Sequence, residues 1–166
     1  MSILSTIHID ASNLLHNIAG DDGGVVYAEY DSTVTMNNST AINNSAIVLG
    51  GVLYVQMEGS VTVDNSTLLN NTATSGGVVF ATKNTDISVS SNSSFVHNKA
   101  NSDGGVVFFN ESSTIMICNG MFSYCNNKAE DNGGVISAQN LSSVVISNSS
   151  FILNVGSAYK GVIQWW

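Results

Sequence analysis

Residues 60–81 read SVTVDNSTLLNNTATSGGVVFA, and the order of features in this stretch decides the fold. Val61 and Val63 alternate with Ser60, Thr62 and Asp64. That period of two marks a strand with one buried face. Asn65-Ser66 is a turn dipeptide, Leu68 is followed three residues later by Asn71, and Gly76-Gly77 opens a second run, Val78-Val79-Phe80-Ala81. No part of the stretch sustains a 3.6-residue period, so it reads as strand and turn throughout.

Working outward, the same order recurs. The doublet and its apolar pair return as Gly23-Gly24-Val25-Val26, Gly50-Gly51-Val52-Leu53, Gly104-Gly105-Val106-Val107 and Gly133-Gly134-Val135-Ile136, with a degenerate copy at Lys160-Gly161-Val162-Ile163. The apolar landmark returns as Leu14, Ala41, Phe95, Phe122 and Phe151, and its asparagine as Asn17, Asn44, Asn98 and Asn154. The fifth copy has Cys125 at that place, with Asn126 and Asn127 beyond it. Alternating runs precede each landmark, as in Ile7-His8-Ile9, Val34-Thr35-Met36, Ile87-Ser88-Val89 and Ile115-Met116-Ile117. A unit of about 27 residues is too short for a four-stranded propeller blade and lacks the helices of other solenoids. What fits is an all-β parallel β-helix, a β-solenoid with one turn per copy, in which like residues stack about 4.8 Å apart. The expectation is a single domain over residues 1–166, with six turns, three parallel sheets and very little helix.

Composition agrees with this and narrows the function. Of 166 residues only 10% are charged, with 4 lysines, no arginine and no proline. The formal net charge is −8. A nucleic-acid partner is excluded for want of a basic footprint, and no apolar run approaches the ~20 residues of a transmembrane helix. Within the solenoid, Ile7, Val34, Val61, Ile87, Ile115 and Val144 form one inward column; Ile9, Met36, Val63, Val89, Ile117 and Ile146 form another. Asn17, Asn44, Asn71, Asn98 and Asn154 form a structural ladder whose amides satisfy turn backbone groups. The doublet glycines supply positive φ at a corner.

The pairing of GGV[VIL] with Phe95-Val96-His97-Asn98 or Phe151-Ile152-Leu153-Asn154 resembles the GGA[ILV] and FxxN motifs of the chlamydial polymorphic outer-membrane proteins, which are autotransporter adhesins. The likeness spans nearly the whole chain. It implies a right-handed parallel β-helix of the pectin-lyase-like kind, working in adhesion. Valine replaces the motif's alanine in every copy, phenylalanine becomes leucine or alanine in three, and no translocating barrel is present.

Candidate chemistry is sparse. Polysaccharide lyases of this shape resemble one another in using a basic residue, usually arginine, with carboxylates holding Ca²⁺; here there is no arginine. Hydrolysis needs carboxylates converging on one surface, yet the strand-exit column reads Asp10, Asn37, Asp64, Ser91, Cys118, Ser147 and places no two acids in adjacent turns. A cleft bringing two carboxylates and a lysine within reach of one substrate bond is not expected. Asp21, Asp22, Asp103, Glu130 and Asp131 precede doublets, but Val48-Leu49 and Thr74-Ser75 break that column as a Ca²⁺ site. His8, His16 and His97 form no metal set. The expectation is no enzyme and no cofactor. Outward pairs on the alternating strand include one Thr-x-Thr, Thr33/Thr35, too few for a flat ice-binding ladder.

Cys118 and Cys125 flank Phe122 and are candidates for a local disulfide, or for two small core residues. Sequons occur at Asn37, Asn38, Asn43, Asn65, Asn70, Asn92, Asn110, Asn140 and Asn148. They make glycans candidate partners in a secreted protein. On the strand after the doublet, apolar residues occupy both parities, so either Tyr27, Tyr54, Phe80 and Phe108 form an exposed lateral contact ladder or a bulge or flattened core buries both parities.

Solenoids ordinarily carry polar caps, and none is evident here. Gly24 to Ala41 is 17 residues; from Gly161 across a junction to Leu14 of a second copy is 19. A following subunit therefore continues the helix with nearly normal turn length, and an interface of that kind that does not close makes a filament. Ile3, Ile7, Ile9, Val162, Ile163, Trp165 and Trp166 are the expected assembly surface. The expected function is a structural subunit stacking head to tail into an extracellular fibre or surface layer. An adhesin fragment binding a glycan or protein is the alternative, and a polysaccharide-active enzyme stands third.

Overall fold

The computed structural model describes residues 5–119, 121–122, 126–157 and 161–165, with the main chain alone at 121–122. Its described residues form an all-β parallel solenoid of about six turns. Each turn contributes one strand to each of four six-stranded sheets, here called A to D. In the third turn these strands are Ser60–Asp64, Thr67–Leu69, Thr72–Ala73 and Val79–Thr82. Every strand pairs in parallel with its counterparts one turn away, as in Val34↔Val61 and Val61↔Ile87.

Four sheets replace the expected three because the chain bends between the landmark and the next short strand. Residues just before the ladder asparagine take positive φ: His16, Asn43, Asn70, His97, Asn126 and Leu153 lie between 40° and 58°. That bend separates Thr67–Leu69 from Thr72–Ala73. The remaining corners are built alike, from Asn38, Asn65, Asn92, Asn119 and Asn148 between A and B, and from pairs such as Met57-Glu58 between D and A. Asparagine tolerates this conformation better than most residues. Among the described residues, ten of the 23 non-glycine positions with positive φ are asparagine, which accounts for much of the unusual composition.

The first glycine of each doublet has φ between 59° and 65°. The second is needed for closeness: a Cβ at Gly77 would lie 2.3 Å from the Gly105 carbonyl oxygen of the next turn. Inside, Val34, Met36, Val61, Val63, Leu68 and Phe95 are fully buried in one core that extends from Val26 to Ala138. The strand-exit column also needs one correction. Register places Ser90, not Ser91, beside Asp64; Ser91 and Asn92 both take positive φ where the fourth turn carries an extra residue.

Candidate functional site

Three features concentrate the chemistry of the surface: the ladders between turns, an aromatic stack outside sheet D, and the two end faces. In the asparagine ladder each Oδ1 accepts both the main-chain N–H and the Nδ2 of the asparagine one turn earlier. Asn44 donates to Asn71 Oδ1 at 2.9 and 3.1 Å, and Asn71 donates to Asn98 Oδ1 at 2.9 and 3.0 Å. Nδ2 also reaches back to the landmark carbonyl, Asn71 to Ala41 at 3.0 Å. The ladder is unbroken, because Asn127 fills the fifth place: Asn98 N–H meets its Oδ1 at 2.9 Å. Asn44, Asn71, Asn98 and Asn127 are fully buried. A serine ladder at the A–B corner works similarly, with Ser12 N–H donating to Ser39 Oγ and Ser39 N–H to Ser66 Oγ.

These two ladders account for the sequons at the A–B and B–C corners, while those at Asn110 and Asn140 lie at the D–A corner. Asn65-Ser66-Thr67 is a positive-φ asparagine, a buried ladder serine and the first residue of a strand. Asn38, Asn43, Asn65, Asn70, Asn92, Asn140 and Asn148 are exposed, and Asn37 and Asn110 are partly buried. Asn65 Nδ2 donates to Asn38 Oδ1 at 2.8 Å, so neighbouring sequons touch one another. Cys118 is a free, partly buried thiol whose sulfur accepts the Ser147 hydroxyl at 3.2 Å. Its candidate partner Cys125 lies outside the described residues, as do Ile3 and Trp166.

Tyr27, Tyr54, Phe80 and Phe108 stack on the outer face of sheet D. Successive ring centroids are 4.8, 5.5 and 5.0 Å apart and the rings lie within 11° of parallel. Tyr54, Phe80 and Phe108 are only 7–8% exposed and, with Leu49 packed against them, form a second small core. The contact area open to a neighbour is at the Tyr27 end, where the ring is 53% exposed. Burial raises the Tyr54 phenol from 10.0 to about 12, helped by the negative charges of Asp22, Glu29 and Asp21. Tyr27 is held well above its ordinary value by the hydrogen bond it donates to Glu29 at 2.7 Å, with burial adding to the effect. Since the folded chain keeps these protons where an unfolded chain loses them, their stabilising effect is intact below pH 10. It falls as pH rises from 10.0 towards about 12. Ultraviolet titration is expected to show two late tyrosines, with the urea midpoint dropping across the same window.

The acidic residues before the doublets tie turns together: Asp22 Oδ1 accepts Leu49 N–H at 3.0 Å and Asp103 Oδ1 accepts Asn132 N–H at 3.1 Å. Burial, with Asp21 alongside, raises the Asp22 carboxyl above its usual range. Lys99 bonds Glu130 at 2.8 Å across two exposed side chains. At the D–A corner a cleft of about 350 Å³ is lined by Tyr30, Asp31, Met57, Glu58, Lys83 and Asn84. It gathers two carboxylates and a lysine from successive turns, because the paired corner residues form columns of their own.

In the first and last described turns the core columns are less sealed than in the middle. Ile7 and Ile9, and at the other end Val144, Ile146, Val162 and Ile163, are only partly buried, whereas Val34, Met36, Val61 and Val63 are sealed. Trp165 is 72% exposed. Beside it a cleft of about 450 Å³ is lined by Ser142, Ser143, Val144, Ile146, Ile163 and Trp165. No described helix is long and apolar enough to cross a membrane. No protein-family model, curated protein or solved structure matches the chain.

Proposed function

We propose that this chain is a non-enzymatic structural protein, a β-solenoid subunit that stacks head to tail into a fibre or surface layer outside the cell. The observation that carries this reading is the partial burial of core-column residues in the first and last described turns. Ile7 and Ile9 stand in the first and Val144, Ile146, Ile163 and Trp165 in the last. Apolar surface together with unpaired strand edges is a template for another turn of the same kind. Sequon asparagines lie at the side corners, so glycans there leave stacking along the axis open.

Electron microscopy of the 166-residue chain tests the reading. Filaments are expected with an axial repeat of six turns, about 29 Å. Removing Trp165 and Trp166 is expected to raise the concentration needed for assembly at least tenfold, roughly the loss of one aromatic hot spot. The β-rich circular dichroism should persist. A chain that stays monomeric at high concentration sinks the proposal.

Two other readings each have one supporting observation. The GGV[VIL] and FxxN pair supports adhesion through its likeness to polymorphic outer-membrane proteins of the right-handed β-helix kind, and monomers that bind a glycan array would favour it. Asp31, Glu58 and Lys83 in one cleft support polysaccharide cleavage. Turnover of an acidic polysaccharide, lost in Glu58→Gln, would establish that instead.

A further inference from the structure

Sheets A and B differ on their outward faces. The middle outward column of sheet A runs His8, Thr35, Thr62 and Ser88 through the first four turns. In the same turns sheet B presents Leu15, Ile42, Leu69 and Val96 outward, and Ile152 follows Phe151 in the sixth. A solvated strand face is ordinarily polar, so strand formation alone does not call for this stripe. Ile42, Leu69 and Val96 are part-exposed although turns lie on both sides of them, while Ala41, Leu68 and Phe95 beside them are sealed in the core.

Charge avoids the same face. Of the 12 acidic residues, Asp10, Asp64 and Asp86 lie on sheet A and Glu29 on sheet D, and the others stand at the C–D and D–A corners. Lys99 and Lys128 lie on sheet C and Lys83 at the D–A corner. Among the described residues, sheet B and the two corners beside it hold no Asp, Glu or Lys. Thr40, Thr67 and Ser94 border the stripe on one side, and Asn43, Asn70 and His97 on the other. The result is an apolar centre with an uncharged polar rim, the usual anatomy of a protein contact.

We propose that sheet B is the contact surface for a second copy of this chain, laid side by side about a two-fold axis. A stripe that repeats every ~4.8 Å is matched by another of the same pitch, each apolar side chain falling between two of its partner's. A net charge of −8 makes copies repel one another through their other faces, whereas this face opposes no like charges. A two-fold pairing of one surface with itself closes at two copies. Sheet B with one corner residue on each side is about 17 Å across; paired over about six turns it covers about 1,000 Å² on both copies together, the lower bound for a specific interface. The pair is therefore weak and reversible. Asn38, Asn65, Asn92 and Asn148 border sheet B at one corner and Asn43 and Asn70 at the other, so a glycan on any of them stands over the stripe. Pairing belongs to the unglycosylated chain. The contact lies on the flank of the solenoid and is independent of head-to-tail stacking.

The test compares the unglycosylated wild type with Leu69→Lys, Leu69→Thr and Thr62→Lys by sedimentation equilibrium, with thermal melting to show that each variant keeps its fold. Wild type is expected as a reversible dimer. Leu69→Lys brings a new charge from each copy into the contact and should weaken pairing about thirtyfold. Leu69→Thr keeps a strand-forming residue and removes apolar contact only, so it should weaken pairing about tenfold. Thr62→Lys makes the same charge change on sheet A and should pair as wild type does. Where the chain also stacks, wild-type fibres are expected two solenoids wide and Leu69→Lys fibres one wide, so pairing is read with or without stacking. The proposal is overturned by a wild type that stays unpaired at high concentration, or by Leu69→Lys pairing undiminished. Equal weakening by Thr62→Lys would overturn it too, as would monomers that float with phosphatidylcholine vesicles in place of pairing.

Discussion

Asn71→Ala is expected to destabilise the fold by about 4 kcal/mol, from roughly 1–3 kcal/mol for each buried group left unpaired. The side chain is fully buried and serves three neighbours. Its Oδ1 holds the N–H and Nδ2 of Asn44, and its Nδ2 donates to Asn98 Oδ1 and to the Ala41 carbonyl. Truncation leaves both Asn44 donors facing methyl and backbone in a dry corner. Asn71→Asp should be nearly as harmful, since a carboxylate repels the Asn98 oxygen and the Ala41 carbonyl. Urea unfolding followed by circular dichroism measures the loss. A midpoint shift no larger than that of an exposed substitution such as Asn101→Ala would show that the ladder is ornamental.

Gly77→Ala is the second large effect, about 3 kcal/mol or more on the scale of overpacking in a rigid site. Its methyl would meet the Gly105 carbonyl oxygen at 2.3 Å and the Lys99 carbonyl oxygen at 2.7 Å, both main chain. Relief requires the third and fourth turns to separate locally. Because each turn contacts only its neighbours, melting should lose its single transition and split into two. Gly20→Ala is the control, since nothing lies within 4 Å of the added carbon. Equal stability of the two variants would refute the steric argument.

The sequence made the columns legible because strands with one sealed face force strict alternation. That pattern puts Ile7, Val34, Val61, Ile87, Ile115 and Val144 in one column, and the register places them there. The fourth sheet was not legible, since a strand as short as Thr72–Ala73 is too brief to show any period. Asn127 was hidden by the two residues inserted between Phe122 and the ladder, although an asparagine beyond Cys125 was the available signal. Parity did not decide the fate of Tyr54, Phe80 and Phe108. They bury one another by stacking, with Leu49 beside them, which no single strand records. Asp31, Glu58 and Lys83 line one cleft through corner pairs, whose columns no strand period records.

The inter-turn hydrogen bonds, including both side-chain ladders, run along the solenoid axis, and this has a mechanical meaning. Tension spread across an end face loads four strand edges and two ladders together, so the rod resists axial stretching as a parallel set of bonds. Tension applied to the chain termini instead unzips one turn at a time. Each released turn of about 27 residues then yields roughly 90 Å of slack at 3.3–3.6 Å per residue. The same molecule is therefore stiff when gripped by its faces and compliant when pulled by its thread.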